Sequence, residues 1–354
     1  MAIVLLLSLL LLSVDLRFTP HTISSDLKGG YQVVVADMNH DGKPDLIALA
    51  SGMAELVWFE NPGWQRHVIV RGMTAMINLA VVGNAIVVAD HFANNPSKSE
   101  GHVYLLEPAA NLAADPGAEW TKREIDRIPS SHRLRTMKLD GKPVVINAPL
   151  ADPLALPPDY RGHIPLVLYR PGVWKRELIS TAEEGVMHGI FVGDRDLYTA
   201  SFLGIHAYRY QGGAWLRREI TKGDLGAWPK SGSSDVAVGK RFTAAIEPWH
   251  GTQMVVYTGK RREVVDATLK EGHTIALADF DGDGRDEILA GDRGVGGGVF
   301  VWHARGKRWE RQALDGPGMR ANACAAVDLN GDGRVDVACI GGATANLVWY
   351  ENQK

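Results

Sequence analysis

The sequence has 354 residues, which is enough for two average domains or for one large all-β domain. A formal net charge of −3 gives no reason to expect a nucleic-acid partner, and 45% hydrophobic residues are ordinary for a globular protein. The 39 glycines and the lack of long helical periodicity favour many short strands joined by turns.

The chain begins with an apolar, leucine-rich segment, Met1–Val14. It is too short to cross a bilayer and is typical of the apolar region of a secretory signal, although no Lys or Arg precedes it. We therefore predict a signal-like segment over residues 1–14, a folded domain over residues 15–354, no stable membrane span, and a secreted or periplasmic location.

A short motif recurs seven times: an aromatic residue, one or two basic residues and then an apolar pair. The copies start at Phe18, Trp64, Trp120, Trp174, Trp215, Lys260 (a degenerate copy) and Trp309. Their spacing of about 40–55 residues is the length of a propeller blade. Each unit is therefore predicted to hold four antiparallel strands, A to D.

The two ends of the chain support this count. Arg17–Ile23 is a D-type strand that comes before any A strand, and the chain ends in a C-type strand, Asn346–Asn352, with no D strand after it. We predict an all-β fold, a single seven-bladed β-propeller of four-stranded antiparallel blades, closed by the N-terminal strand completing the last blade.

Three segments carry oxygen-bearing side chains at positions 1, 3, 5 and 9, with Gly after position 5. This spacing lets a tight loop wrap Ca²⁺, and the β-type runs on both sides predict a hairpin turn between strands A and B, not an EF-hand. The predicted calcium ligands are Asp37, Asn39, Asp41 and Asp45, then Asp279, Asp281, Asp283 and Glu287, then Asp328, Asn330, Asp332 and Asp336.

The two cysteines, Cys324 and Cys339, are predicted to lie opposite each other on neighbouring strands of one hairpin. Small apolar residues surround both, which favours buried thiols over a disulfide bridge.

The face opposite the acidic loops is predicted to collect the D–A and B–C connections. Six of the twelve histidines map to it: His91, His132, His163, His188, His250 and His273. One interpretation is that each histidine only bonds the backbone of a neighbouring blade. The other is that imidazoles ring the channel mouth, where they bind Zn²⁺ or Mn²⁺ or act as a base near neutral pH.

The acidic hairpins resemble FG-GAP/VCBS-type repeats of extracellular propellers. A narrower set of segments resembles the propeller domain of aldos-2-ulose dehydratase/isomerase, which acts on 1,5-anhydrofructose: Ser131–Arg135, Met187–Gly189, Ser233–Asp235, Ala245–Gly251 and Glu271–Gly291. The predicted architecture is also similar to that of seven-bladed polysaccharide lyases acting on rhamnose–glucuronate linkages. Both families run β-elimination, so the resemblance implies a carbon–oxygen lyase acting on a keto-sugar or a uronate-containing glycan.

Roles follow from the position of each residue on this face. His132 or His188 is the predicted base, Arg133, Arg320 or a bound metal neutralises the developing negative charge, and Tyr160 or His250 is the acid. The predicted substrate-binding residues are His91, Arg135, Arg161, His163, Trp249, His273 and Arg293. The alternative is a non-catalytic extracellular propeller that binds a glycan or a protein through aromatic side chains such as Trp228.

Overall fold

The computed structural model describes residues 16–354, so the predicted signal-like segment lies outside the described residues. This part of the chain forms seven four-stranded sheets and one 3-10 turn, Pro96–Lys98. Every strand pairing within the sheets is antiparallel, and the fold is all-β, as predicted. No helix among the described residues is long and apolar enough to cross a membrane.

Each sheet is one blade, and strands follow in chain order from A, at the central channel, to D, at the rim. The first strand is β1 (Phe18–Ser24). Blade one contains β2 (Gly30–Ala36), β3 (Asp45–Ala50), β4 (Glu55–Glu60) and β5 (Gln65–Arg71). Blade two contains β6 (Asn78–Val82), β7 (Ala85–Asp90), β8 (His102–Pro108) and β9 (Trp120–Arg127). Blade three contains β10 (Ser131–Leu139), β11 (Lys142–Pro149), β12 (His163–Tyr169) and β13 (Arg176–Glu184). Blade four contains β14 (Met187–Val192), β15 (Asp196–Ser201), β16 (Gly204–Gln211) and β17 (Ala214–Thr221).

Blade five contains β18 (Asp235–Val238), β19 (Thr243–Glu247), β20 (Gln253–Thr258) and β21 (Arg261–Asp266). Blade six contains β22 (Gly272–Ala278), β23 (Glu287–Asp292), β24 (Gly298–Arg305) and β25 (Arg308–Asp315). Blade seven contains β26 (Ala321–Val327), β27 (Asp336–Gly341) and β28 (Leu347–Asn352), and its outer strand is β1. Phe18 lies opposite Asn352 in that pairing. The predicted closure by the N-terminal strand is confirmed.

The burial of each strand follows from its place in the blade. Strands β3, β23 and β27 are B strands, covered on both faces by neighbouring blades, and all their residues are buried. This is why they are short, nearly unbroken apolar runs. The D strands lie at the rim and are largely exposed, as in β17. The apolar core therefore lies between blades, for example where Trp58 and Ile47 of blade one pack with Leu79 and Leu106 of blade two.

The prediction that Cys324 and Cys339 are free thiols is wrong. A disulfide joins them across β26 and β27, where they are directly opposite in register with Cα atoms 4.1 Å apart. A facing pair in an antiparallel ladder brings the two Cβ atoms close enough to be bridged. The small apolar surroundings do not distinguish thiols from a bridge.

The two faces of the ring differ in what they carry. The three acidic segments join β2 to β3, β22 to β23 and β26 to β27, so all three are A–B turns on one face, which we term the loop face. The D–A and B–C connections lie on the other face, which we term the mouth face. The long B–C segments 91–101 and 150–162 belong to the mouth face.

Candidate functional site at the channel mouth

In five of the seven blades, the A strand starts with one extra residue in its pairing with strand B. The register slips by one position in five blades, and the extra residues are Tyr31, His132, His188, His273 and Asn322. A bulge of this kind redirects a side chain and interrupts the ladder. Because the A strands surround the channel, the bulges bring side chains from distant parts of the chain to one place.

Four imidazoles are in contact there. The ring centroid of His188 lies 5.0 Å from that of His132, 4.7 Å from that of His250 and 4.8 Å from that of His273. His250 comes from the B–C connection of blade five, and its ring centroid lies 5.3 Å from that of His273. We term these four histidines, with Tyr31 and Arg133, the mouth cluster.

Backbone carbonyls orient two of the rings. His188 Nδ1 lies 3.2 Å from the carbonyl oxygen of Ser234, and His273 Nδ1 lies 2.6 Å from that of Asn322. An Nδ1–H donor on each ring leaves the Nε2 lone pair available. One ring nitrogen each from His188, His250 and His273 lies within 4.8 Å of the others, which is an arrangement that could hold a metal ion. In metal sites, a ligating histidine typically donates its other ring N–H to a backbone carbonyl oxygen, as the Nδ1 contacts here allow.

The electrostatics keep these rings neutral. Burial lowers the pKa of His132, His188, His250 and His273 well below the usual histidine range, and the charge of Arg133 lowers it further. The charge of Arg293 also lowers the pKa of His132, His250 and His273. Neutral imidazoles can accept a proton or bind a metal ion.

Tyr31 connects two of the histidines to Arg133. Its hydroxyl lies 2.8 Å from His132 Nε2, 3.4 Å from His273 Nε2 and 3.4 Å from Arg133 Nη1. His132 Nδ1 is buried with no hydrogen-bond partner among the described residues. Arg133, the residue after His132, donates a hydrogen bond from Nε to the carbonyl oxygen of His188 on the next blade, at 2.9 Å. A buried nitrogen left unpaired costs stability, so His132 has a feature that folding alone does not explain.

A cavity of about 590 Å³ opens beside the cluster. Arg293 and Arg320 line it together with Glu271, Trp249, Phe92 and Asn322. Arg293 Nη2 lies 2.6 Å from Glu271 Oε1 and 3.2 Å from His250 Nδ1, while Arg320 Nε donates to the carbonyl oxygen of Arg293 at 2.8 Å. The blade-six and blade-seven side of the cavity thus carries two guanidinium groups and one carboxylate, which is paired with Arg293.

The structure brings together only part of the predicted set. His132, Arg133, His188, His250, His273, Trp249, Arg293 and Arg320 meet at the mouth. Arg135 lies deeper in the channel, where its Nη1 donates to Asn78 Oδ1 at 3.0 Å and burial lowers its pKa to about 10.

The other four predicted residues lie elsewhere on the mouth face. The Tyr160 hydroxyl donates to the carbonyl oxygen of Asn94, and Arg161 stacks over the Trp228 ring. His163 is exposed and lies 3.6 Å from Glu184, and His91 belongs to a separate group on blade two.

Two residues of the site were absent from the predicted set, Tyr31 and Glu271. The available signal for Tyr31 is positional, since Gly30-Tyr31 starts its A strand as Ser131-His132 and Gly272-His273 start theirs. Glu271 directly precedes that last pair and carries the carboxylate that holds Arg293.

On the loop face, the three acidic loops share one hydrogen-bonding pattern. The position-1 carboxylate of the first loop, Asp37, accepts the N–H groups of Asp41 and Gly42, and Asp279 and Asp328 do the same in their loops. The carboxylates at position 9 differ. Both oxygens of Asp45 and of Asp336 accept backbone N–H groups, whereas only Oε2 of Glu287 does.

Of the three acidic loops, the blade-six loop therefore has the carboxylate arrangement that best suits a cation. Carboxylate oxygens of Asp279, Asp281 and Glu287 lie within 4.8 Å of one another. Burial raises the pKa of Glu287 to about 7, and the charges of Asp281 and Asp283 add to this. A bound Ca²⁺ would offset both the burial and the repulsion.

Blades one and seven link their loops to the rim by the same chain of side chains. Asn39 Nδ2 donates to Glu60 Oε1 at 2.9 Å, and Glu60 Oε2 lies 2.8 Å from His67 Nε2. In blade seven the corresponding residues are Asn330, Glu351 and His21, at 3.2 and 2.9 Å. The Asn at position 3 therefore fastens its loop to strands C and D of its own blade.

Comparison with known proteins supports the repeat and the fold. Residues 270–352, which cover blade six and the C-terminal strands of blade seven, match the FG-GAP-like repeat family. Among curated proteins, none matches this chain by sequence.

Several solved structures share the fold. They include U3-55K (TM-score 0.63, 9% identity, 94% of this chain and 98% of that chain) and BBS1N in complex with ARL6DN (0.60, 12%, 96% and 98%). A gluconolactonase from Xanthomonas campestris is also similar (0.50, 13%, 96% and 96%). At these identities the likeness shows the propeller fold alone.

Proposed function

We propose that this chain is a carbohydrate-active lyase that performs β-elimination at the channel mouth, on a keto-sugar or a uronate-containing glycan. The observation that carries the proposal is the contact of four neutral imidazoles with Tyr31 and Arg133 beside an arginine-lined cavity. Backbone bonds account for only one nitrogen of His188 and one of His273, and the Nε2 atoms stay directed toward the cluster.

The proton transfer is assigned to Tyr31 and His132. As Tyr31 takes the proton next to the carbonyl or carboxylate, its own phenolic proton passes across 2.8 Å to His132 Nε2, and Arg133 stabilises the negative charge on the phenol oxygen during the transfer. The C–O bond at the neighbouring carbon then breaks as the C=C bond forms; the Tyr31 hydroxyl protonates the leaving oxygen, and His132 returns its proton to Tyr31. Of the two predicted bases, His132 and His188, this proposal uses His132, acting through Tyr31.

Charge stabilisation is assigned to Arg293 and Arg320. Both line the cavity, and a guanidinium can hold a carboxylate by two parallel hydrogen bonds. As the substrate proton leaves, negative charge grows on that carboxylate, so the same contacts are stronger in the transition state. A volume of about 590 Å³ is in the range of small-molecule sites.

The cofactor proposals follow from the donor sets. His188, His250 and His273 would hold Zn²⁺ or Mn²⁺, which would supply Lewis-acid polarisation of the substrate's carbonyl or carboxylate. The acidic loops would hold structural Ca²⁺, as expected for an exported protein.

The direct test is to look for the unsaturated product. The protein is incubated with 1,5-anhydrofructose and with uronate-containing glycans while ultraviolet absorbance is followed. We expect absorbance to rise with the wild type and to stay flat with His132→Ala and with His188→Ala, both checked for folding by circular dichroism. Binding of a glycan with no absorbance change would instead identify a non-catalytic binding propeller.

Lactone hydrolysis is a second candidate, favoured by the fold shared with a gluconolactonase and by neutral imidazoles next to arginines. It releases acid from gluconolactone without an ultraviolet-absorbing product. A pH indicator assay on the same protein preparation separates the two reactions.

A further inference from the structure

A second group of metal-ligating side chains lies on blade two, outside the mouth cavity. Asp90 ends β7, His91 follows it and His102 starts β8, and one potential ligand atom from each lies within 4.8 Å of the others. The two imidazole ring centroids are 4.4 Å apart. None of these three residues lines the mouth cavity.

Carboxylates surround the two rings. His102 Nδ1 lies 2.8 Å from Glu124 Oε2, and His102 Nε2 lies 2.9 Å from Glu100 Oε2. His91 Nδ1 lies 2.8 Å from Asp90 Oδ1. The only guanidinium ion-paired with these carboxylates among the described residues is that of Arg127, on Glu124. The carboxylates of Asp90, Glu100 and Glu124 thus outnumber the guanidinium groups paired with them, and a divalent cation would balance the excess of negative charge.

Blade six supplies an internal comparison for Asp90. Asp292 also ends a B strand, opposite the first residue of strand C, but its oxygens accept three backbone N–H groups, from Lys270, Glu271 and Gly294. Asp90 is 1% exposed and accepts one backbone N–H, from Thr74 at 3.3 Å, besides its contact with His91. A buried carboxylate with so few donors is costly unless a cation lies nearby.

We propose that Asp90, His91 and His102 form a second metal site, selective for Zn²⁺. The two histidines supply nitrogen, Asp90 supplies oxygen, and Glu100, whose side chain is 64% exposed, completes the coordination. Two imidazoles with carboxylates are a donor set that suits Zn²⁺ and disfavours Ca²⁺ and Mg²⁺.

The test is zinc stoichiometry by isothermal titration calorimetry on chelator-stripped protein. His188→Ala removes the mouth-cluster site, and this variant is expected still to bind one Zn²⁺ per chain. Adding His91→Ala and His102→Gln should weaken that remaining binding at least 100-fold. The matched control is His163→Ala, an exposed histidine on the same face, which should change nothing.

Two outcomes would overturn the site. One is that His188→Ala binds no Zn²⁺, and the other is that replacing His91 and His102 leaves the binding unchanged. Co²⁺ substitution gives an independent readout, because visible d–d absorption should persist in His188→Ala and disappear in the variant that also lacks His91 and His102. Circular dichroism confirms that each variant is folded.

Discussion

The two faces of this propeller place polar residues in opposite ways. On the loop face, each set of candidate ligands lies within nine consecutive residues of one hairpin, as in Asp37–Asp45. On the mouth face, residues 31, 132, 188, 250 and 273 come from five blades. The loop face is therefore defined by local spacing, whereas the mouth cluster forms only when the ring closes and bulges at the starts of four A strands bring Tyr31, His132, His188 and His273 together.

A smaller contrast exists within the loop face itself. In blades one and seven, each oxygen of the position-9 carboxylate accepts a backbone N–H group. In blade six, backbone N–H groups bond only one oxygen of Glu287. The first two loops are thus held by their own hydrogen bonds. The blade-six loop is expected to depend most on a cation.

The largest expected effect is a difference in kcat between two variants on the mouth face, Tyr31→Phe and Tyr160→Phe. Tyr31→Phe removes the hydroxyl that contacts His132, and we expect kcat to fall about 10²- to 10⁴-fold, the usual contribution of a positioned acid–base group. Tyr160→Phe is the matched control, because that hydroxyl donates to the backbone carbonyl oxygen of Asn94 and not to a histidine of the mouth cluster. Steady-state kinetics on the substrate found in the absorbance assay measures both. Equal losses in the two variants would remove Tyr31 from the reaction.

Calcium should distinguish the acidic loops. For each site, free Ca²⁺ at about one hundred times the dissociation constant stabilises the fold by about 2.7 kcal/mol. We expect the melting temperature to fall in chelator, and Asp283→Asn in blade six to remove more of the calcium response than Asp41→Asn in blade one. Differential scanning fluorimetry with and without Ca²⁺ measures this. A wild type insensitive to chelation would argue against calcium in any loop.

The pH dependence of stability probes the mouth cluster. Because burial lowers the pKa of its histidines in the folded state, the unfolded chain takes up protons first as the pH falls through 6.5. The free energy of unfolding should then decrease by about 1.4 kcal/mol per pH unit for each such histidine. Chelated wild type and His132→Gln are compared by urea denaturation between pH 7 and 5. The variant should show the shallower slope, and identical slopes would contradict the shifted pKa of His132.

The smallest expected effect tests the link between loop and rim. Glu60→Gln weakens the contacts to Asn39 and His67, and we expect a loss of about 1 kcal/mol in the free energy of unfolding. Glu310→Gln on the D strand of blade six is the control, since that side chain is 62% exposed. Chemical denaturation compares the two. A loss in the control as large as in Glu60→Gln would show that the link contributes nothing specific.

The fold was predictable because its signals are local and repeated. Seven copies of the aromatic–basic motif marked the blades, and the D-type strand Arg17–Ile23 marked the closure. The site was predictable in part. His132 and His188 start their A strands, and strand order alone places them together.

The missed and misplaced residues have physical causes. Tyr31 begins an apolar run, and nothing in that run shows that a bulge turns its hydroxyl toward His132. Tyr160 lies in a long Pro-rich connection, whose direction depends on packing against Trp249. The facing positions of Cys324 and Cys339 were expected, but small apolar neighbours surround buried thiols and disulfides alike, so the bridge was not.

The pairing of β1 with β28 also has a consequence for how the chain matures. Phe18 cannot meet Asn352 until the more than 300 residues between them have been made, so the last blade is assembled from two segments that are synthesised far apart in time. A rearranged gene that joins the present termini and begins at Ala321 would place all four strands of that blade in one continuous stretch. Such a permutant should reach its final blade without waiting for a partner more than 300 residues away.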